Sequence, residues 1–262
     1  MPEMLNLELL EKGARKLNLP LSKGQLEMFE TYQRELTKWN EKFNLTAVSD
    51  SEGIQTKHFL DSMSLLLPLL SALAPEAKTV PEAYKRLAKM KLKAIDVGTG
   101  PGFPGLVLKI MWPNLELSLV EATGKKVQFL QHMIRELGLE DVEAYHARAE
   151  EIGQDETHRG SYDLAMARAV AVLPVLVEYL LPLARKGGLV LAMKGPSASE
   201  EVLESETAIR ILGGEVQKVV DVEVPLLAEE RRIVIIKKVA ETPEMYPRRP
   251  GIPQKRPLGS KK

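Results

Sequence analysis

One stretch constrains this chain more than any other: Lys93-Ala-Ile-Asp-Val-Gly-Thr-Gly-Pro-Gly-Phe-Pro-Gly105. Ala94, Ile95 and Val97 make a short apolar strand, which runs into glycines at Gly98, Gly100 and Gly102. An apolar helical run follows from Leu106 to Met111. A strand that breaks into a glycine turn and opens a helix belongs at the carboxyl edge of an α/β sheet. There the missing Cβ atoms let the backbone turn sharply and let a ligand approach it closely.

The rest of the chain supports such a sheet. Short apolar strands are expected at 94–97, 117–120, 142–145, 164–167 and 188–193, separated by helical patterns at 105–111, 125–137, 150–152 and 173–183. Alternation of this kind builds a parallel sheet with helices on both faces. The end departs from it. After a helix over 199–212, strands at 216–224 and 232–239 follow with no helix between them, so they form an antiparallel hairpin. Before the glycine turn come helices: Leu5–Leu17, then one capped by Ser22 with a stripe of Leu26, Phe29, Leu36, Trp39 and Phe43, then one from Ile54 to Leu69. The chain loosens from Ala72 to Pro81. The expected organisation is a helical cap over residues 1–75, an α/β domain over 76–241 and a proline-rich basic tail over 242–262.

Composition narrows the function. The 262 residues include no cysteine, which excludes thiolate catalysis, disulfides and zinc–sulfur sites. No apolar run reaches the roughly 20 residues of a membrane span, and the first residues lack the pattern of a secretion signal, so a cytoplasmic protein is expected. Formal net charge is zero, against indiscriminate coating of nucleic acid, yet the charge is segregated. Lys85–Lys93 and the tail, with Arg248, Arg249, Lys255 and Arg256, are basic.

Two cofactors compete for the glycine turn. Gly100 to Gly105 satisfies G-x-G-x-x-G with the acid Glu121 about 20 residues on, as a dinucleotide site has. Gly98 to Gly102 satisfies the G-x-G-x-G turn of S-adenosylmethionine (SAM) enzymes. Gly98 is the glycine that follows the strand directly, and counting from it the sixth position is Phe103. That placement, with the acid Asp96 at the strand's end, favours SAM, whose ammonium and sulfonium an acid helps hold. Glu121, just past the second strand, is placed to accept both ribose hydroxyls. Ala149 and Glu150, after the third strand, are placed for the adenine edge. Arg168 and Lys194 end the fourth and fifth strands at the pocket mouth, where a strand-end cation can equally reach solvent. His58 and Asp61 share a helix face. The four histidines show no metal-ligand spacing, and Ser62 lies on no nucleophile elbow, so neither a metal centre nor a triad is expected.

Taken together, Asn44-Leu-Thr46, Lys57-His-Phe-Leu-Asp-Ser62, Asp96 to Gly105, Arg148-Ala-Glu150, Ala167-Arg-Ala169, Met193-Lys-Gly195 and Tyr246 to Pro253 give the chain its closest likeness. It resembles the RsmG (GidB) family of bacterial 16S rRNA guanine-N7 methyltransferases over nearly its whole length. The resemblance implies a class I SAM-dependent methyltransferase (Rossmann-like) fold acting on a guanine in the decoding-region loop of 16S rRNA, naked or in the small ribosomal subunit. It implies cofactor contacts at Gly98, Phe103, Ala149, Glu150 and Arg168. Asn44, Thr46, His58, Asp61 and Ser62 would line the cleft from the cap side, with Asn44, His58, Asp61 and Arg168 positioning substrate. Lys57 stands where the family pattern has arginine, losing a planar fork. Lys57, Lys194, Arg248, Arg249, Lys255 and Arg256 are expected to grip RNA, and the protein to act as a monomer. Guanine N7 has an in-plane lone pair and no proton, so no general base is required. An Arg168 bidentate to O6 and N7 would block the nucleophile, which leaves it the cofactor carboxylate, an RNA phosphate or O6. The competing readings are a SAM enzyme acting on another RNA or a protein, and a non-catalytic RNA-binding assembly factor.

Overall fold

The computed structural model describes residues 6–259. Helices α1 (Glu8–Lys16) and α2 (Lys23–Phe43) come first; the expected start of the first helix at Leu5 lies outside the described residues. Ser22 caps α2 as its position suggests. Its Oγ accepts from the Gln25 amide at 3.3 Å, and its own amide donates to Gln25 Oε1 at 2.9 Å. This reciprocal pair satisfies two donors that a helix start leaves without partners.

The single third helix expected over 54–69 is instead four pieces. They are α3 (Ser51–Gly53), a π-helical turn (Ile54–Leu60), α4 (Asp61–Ser64) and α5 (Leu66–Leu73). Pro68 fits in the first turn of α5, where its absent N–H has no helical partner to lose. The loose linker expected next contains α6 (Val80–Leu87), capped by Thr79. Pro81 opens this helix instead of breaking it.

The alternating part follows as β1 (Lys93–Val97), α7 (Gly105–Met111), β2 (Glu116–Glu121), α8 (Gly124–Glu136), β3 (Val142–His146), α9 (Ala149–Ile152), β4 (Tyr162–Arg168), α10 (Leu173–Leu180), β5 (Ala184–Lys194) and α11 (Ala198–Ile211). Then come β6 (Gly214–Val222), β7 (Arg231–Lys238) and, in the tail, α12 (Ile252–Lys255). The strands form one sheet in the order β3-β2-β1-β4-β5-β7-β6. Pairings among β1 to β5 are parallel, while β7 runs antiparallel to both β5 and β6. The expected hairpin is present, with its later strand on the inside. Strand order reverses beside β1, between β2 and β4, and such a switch opens a crevice at the strands' carboxyl ends.

Two apolar layers hold the sheet. Ile95 and Val97 of β1 face the layer of α10 and α11, with Leu176, Leu180 and Ile209. Ala94 faces the other layer, which joins Leu10, Phe29, Leu36, Phe59 and Leu66 to Leu106, Phe129, Met166 and Ile235. The N-terminal helices therefore share one core with the sheet, and this brings the π turn against the glycine turn. Among the described residues, no helix is long and apolar enough to cross a membrane.

Candidate active site

The glycine turn needs its glycines. Gly98, Gly100 and Gly102 have φ of 68°, 60° and 109°, the left-handed region that side chains disfavour. A Cβ on Gly102 would sit 2.5 Å from the Tyr32 hydroxyl, and one on Gly98 2.6 Å from Val170. At Gly100 no atom lies within 4 Å of that position, so the backbone there opens onto free space. Tyr32, from α2, braces the turn by donating to the Pro101 carbonyl at 2.7 Å and stacking on Phe103.

Two buried acids tie this turn to the sheet. Asp96 Oδ2 accepts from Thr99 Oγ1 at 2.6 Å and from the Gly105 amide at 2.8 Å. Its Oδ1 is buried without a hydrogen-bond partner. Burial raises the Asp96 pKa to about 6, even though the Thr99 and Gly105 hydrogen bonds favour the anion. Glu121 accepts from the Gly100 amide at 3.0 Å and from the Thr123 amide at 2.8 Å, one on each oxygen. A carboxylate has about four lone-pair sites, so it keeps acceptor capacity for a diol.

A cavity of about 200 Å³ opens beside these groups. Gly98, Glu121, Ala149 and Glu150 line it, as the sequence suggests, together with Tyr179 and, from the tail, Gly251 and Gln254. Nothing in the local pattern announces the last three. Only the fold brings them in.

A second cluster faces the π turn. Arg168, at the end of β4, donates to the Lys57 carbonyl at 2.8 Å, to Asp61 Oδ2 at 2.7 Å and to His58 Nδ1 at 3.1 Å. Its guanidinium lies 5.2 Å from the Phe103 ring centre, and the His58 ring stacks on the same Phe103 at 4.4 Å. His58 Nδ1 also lies 3.2 Å from the Lys57 carbonyl, and Nε2 lies 2.9 Å from Thr46 Oγ1, so both ring nitrogens are engaged. Burial, then the Arg168 charge, lowers the His58 pKa to about 3, so the ring is neutral near pH 7. Asp61 holds a second arginine, Arg231 of β7, whose Nε donates to Oδ1 at 2.9 Å. Arg231 escaped the sequence reading because only the insertion of β7 beside β5 carries it to the cap.

Several expected residues lie elsewhere. Phe103 lies between Tyr32, His58 and Arg168 and does not line the cavity. Arg168, expected at the cofactor or RNA, uses its guanidinium to hold the π turn. Asn44 is exposed and ends α2 with a left-handed φ of 49°. Ser62 is fully buried, so it lines no open cleft, and its Oγ has no hydrogen-bond partner. Two cations expected to face RNA are committed internally. Lys194 bonds Glu201 at 2.6 Å and the Ala171 carbonyl at 2.9 Å, while Arg248 grips the fully buried Glu178 at 2.6 Å. Lys57 is half exposed beside Glu229, and Arg249, Lys255 and Arg256 are exposed. Among the described residues, no group of three His, Cys, Asp or Glu is arranged to hold a metal.

The strand order with an inserted antiparallel β7, the glycine turn after β1 and the acid that ends β2 define a class I SAM-dependent methyltransferase. Asp96, expected at the cofactor, is fully buried and does not line the cavity, while the open space at Gly100 and the free acceptor sites of Glu121 suit SAM's close approach to the backbone and its ribose. The family model of rRNA small subunit methyltransferase G (GidB) matches residues 25–234. The ribosomal RNA small subunit methyltransferase G of Pelotomaculum thermopropionicum is 44% identical over 251 residues, which cover 96% of this chain and 98% of that protein. That of Alkaliphilus metalliredigens is 42% identical over 250 residues, 95% and 98% of the two chains. That of Geobacillus kaustophilus is 44% identical over 238 residues, 91% and 93% of the two. The chain belongs to the rRNA small subunit methyltransferase G family.

Proposed function

We propose that this enzyme transfers the methyl group of SAM to N7 of a guanine in 16S rRNA, with the adenosine of the cofactor in the cavity between Gly98, Glu121 and Glu150. The observation that carries this reading is the pairing of that cavity with a cluster that lacks a competent base. His58, the histidine beside the glycine turn, is held neutral with a pKa of about 3 and both ring nitrogens engaged. Methylation at an exocyclic amine or a hydroxyl sheds a proton as the bond forms. Attack by N7 does not, because its lone pair lies in the ring plane and carries no hydrogen.

Bound SAM supplies an electrophilic methyl on a sulfonium. The residues of this chain bind, align and exclude water. Glu121 accepts the ribose hydroxyls while its existing bonds to the Gly100 and Thr123 amides fix its orientation. Asp96, fully buried and outside the cavity lining, acts through the glycine turn, holding it by its bonds to Thr99 and the Gly105 amide. Arg168 acts through its hold on Lys57, His58 and Asp61, setting the cap wall of the cleft and leaving the O6/N7 edge of guanine to the methyl donor. Guanine reaches such a site unstacked, from a loop or by extrusion. The exposed Arg249, Lys255 and Arg256, with the half-exposed Lys57, suit its phosphates.

The test is transfer of labelled methyl from SAM to unmethylated small subunits, to their naked rRNA and to bulk tRNA, with the product mapped by cleavage selective for 7-methylguanine. One labelled guanine in the small-subunit RNA is the expected result. Label on tRNA alone, or on another base atom, overturns the proposal.

A further inference from the structure

The tail, expected to grip RNA, also lies against the cavity of the glycine turn. Arg159, just before β4, donates to four carbonyls, those of Gly153, Thr242, Pro243 and Tyr246, at 2.6 to 3.1 Å. Gln154 adds bonds to the Glu244 and Pro247 carbonyls at 3.2 and 2.8 Å. Arg248 clamps Glu178 of α10 through its amide and two guanidinium nitrogens. Past this anchor the chain turns at Gly251, whose φ of 78° suits glycine. The Gly251 amide donates to Glu150 Oε1 at 2.9 Å. Gly251 and Gln254 then line the cavity opposite Gly98 and Glu121.

We infer that the C-terminal strap, Gly251 to Gln254, is the third wall of the cofactor pocket, with the Gln254 amide and the Glu150–Gly251 bond reading the polar edge of the bound purine. The inference rests on the reading of this cavity as the adenosine site. Three features support the assignment. The strap is held by buried and multiply bonded anchors on two separate elements. It meets the cavity with a polar side chain, Gln254, while its main-chain N–H at Gly251 fixes Glu150, and such polar groups set a ligand's orientation. And Glu150, an acid with a relative exposure of only 5%, is oriented by the strap itself. A carboxylate so fixed accepts from an exocyclic amine, while the carboxamide of Gln254 can both donate and accept, which matches the adjacent donor and acceptor of an aminopurine edge.

Calorimetry with S-adenosylhomocysteine tests this without any RNA and without turnover. Four proteins are compared with the full chain: Gln254→Ala, Glu121→Ala, a truncation ending at Pro250 and a truncation ending at Gly259. Thermal unfolding and circular dichroism verify that each is folded. The expected result is a loss of about fivefold in affinity for Gln254→Ala, in keeping with one hydrogen bond of about 1 kcal/mol. The Pro250 truncation loses more, and the Gly259 truncation binds as the full chain does. Hydrogen exchange should also slow at the Gly251 and Gln254 amides when the ligand binds. If Glu121→Ala abolishes binding while Gln254→Ala and the Pro250 truncation bind normally, the strap is not a pocket wall and the inference falls alone. If Glu121→Ala also binds normally, the cavity is not the adenosine site and the inference falls with that reading.

Discussion

Two titrating residues pull in opposite directions. His58 has its pKa lowered from 6.5 to about 3, so between those values the unfolded chain holds a proton that the folded one refuses. Stability from this residue is therefore lost as pH falls below 6.5, by about 2 kcal/mol at pH 5. Asp96 has its pKa raised from 3.8 to about 6, so the folded chain takes the proton first and gains about 1.4 kcal/mol at pH 5. Urea unfolding at pH 7 and pH 5 separates them. His58→Gln should gain about 2 kcal/mol at pH 5 relative to its own value at pH 7, when compared with the unaltered protein. Asp96→Asn should shift by about 1.4 kcal/mol in the other direction. Asp61 carries a heavier load, because it neutralises both Arg168 and Arg231 from a buried position. Asp61→Ala leaves two guanidinium groups without their shared anion and should destabilise the fold by about 3–5 kcal/mol. The individual residues of the glycine turn were legible because φ and close approach admit little but glycine. The partners of Asp61 were not, since a buried charge and a surface charge look alike in a sequence.

At the scale of elements, the strands and helices of the alternating part were legible to within a few residues at their ends, and the helices before the glycine turn much less so. Short apolar runs bounded by turn residues mark strands buried on both faces, as in Ala94–Val97. The run from Ile54 to Leu69 is buried on almost every side, polar residues such as Gln55, His58, Asp61 and Ser62 included, so its pattern could not mark where the π turn yields to α4. Nor could proline content distinguish a disordered tail from one that packs. Residues 242–255 pack through carbonyls offered to Arg159 and Gln154, a property that belongs to any backbone and leaves no trace in composition. This packing makes the Arg248–Glu178 pair a clasp. Arg248→Ala strands a fully buried carboxylate and should cost about 3 kcal/mol. Amide exchange over 246–252 should rise while the amides of β1 and β4 stay protected.

For the whole molecule, zero net charge conceals a division of labour among cations. Arg248, Arg168 and Lys194 are consumed in holding elements together, while Arg249, Lys255 and Arg256 remain exposed on either side of the strap. Replacing both Arg249 and Lys255 by alanine should reduce the slope of log affinity against log salt for single-stranded target RNA by about 1.4, two phosphate contacts' worth. The position of β7 also has a bearing on the order of synthesis. It is the last strand to be made, yet it lies between β5 and β6, and β6 has no other partner in the sheet. A nascent chain therefore carries an open β5 edge and an unattached β6 until residue 238 has been added. Only afterwards do the Arg159 anchors and the strap reach their places. A chain stopped at residue 230 should accumulate as aggregate instead of as a smaller folded protein. For this fold, the sheet cannot close until translation has passed β7, after all the other strands have been made.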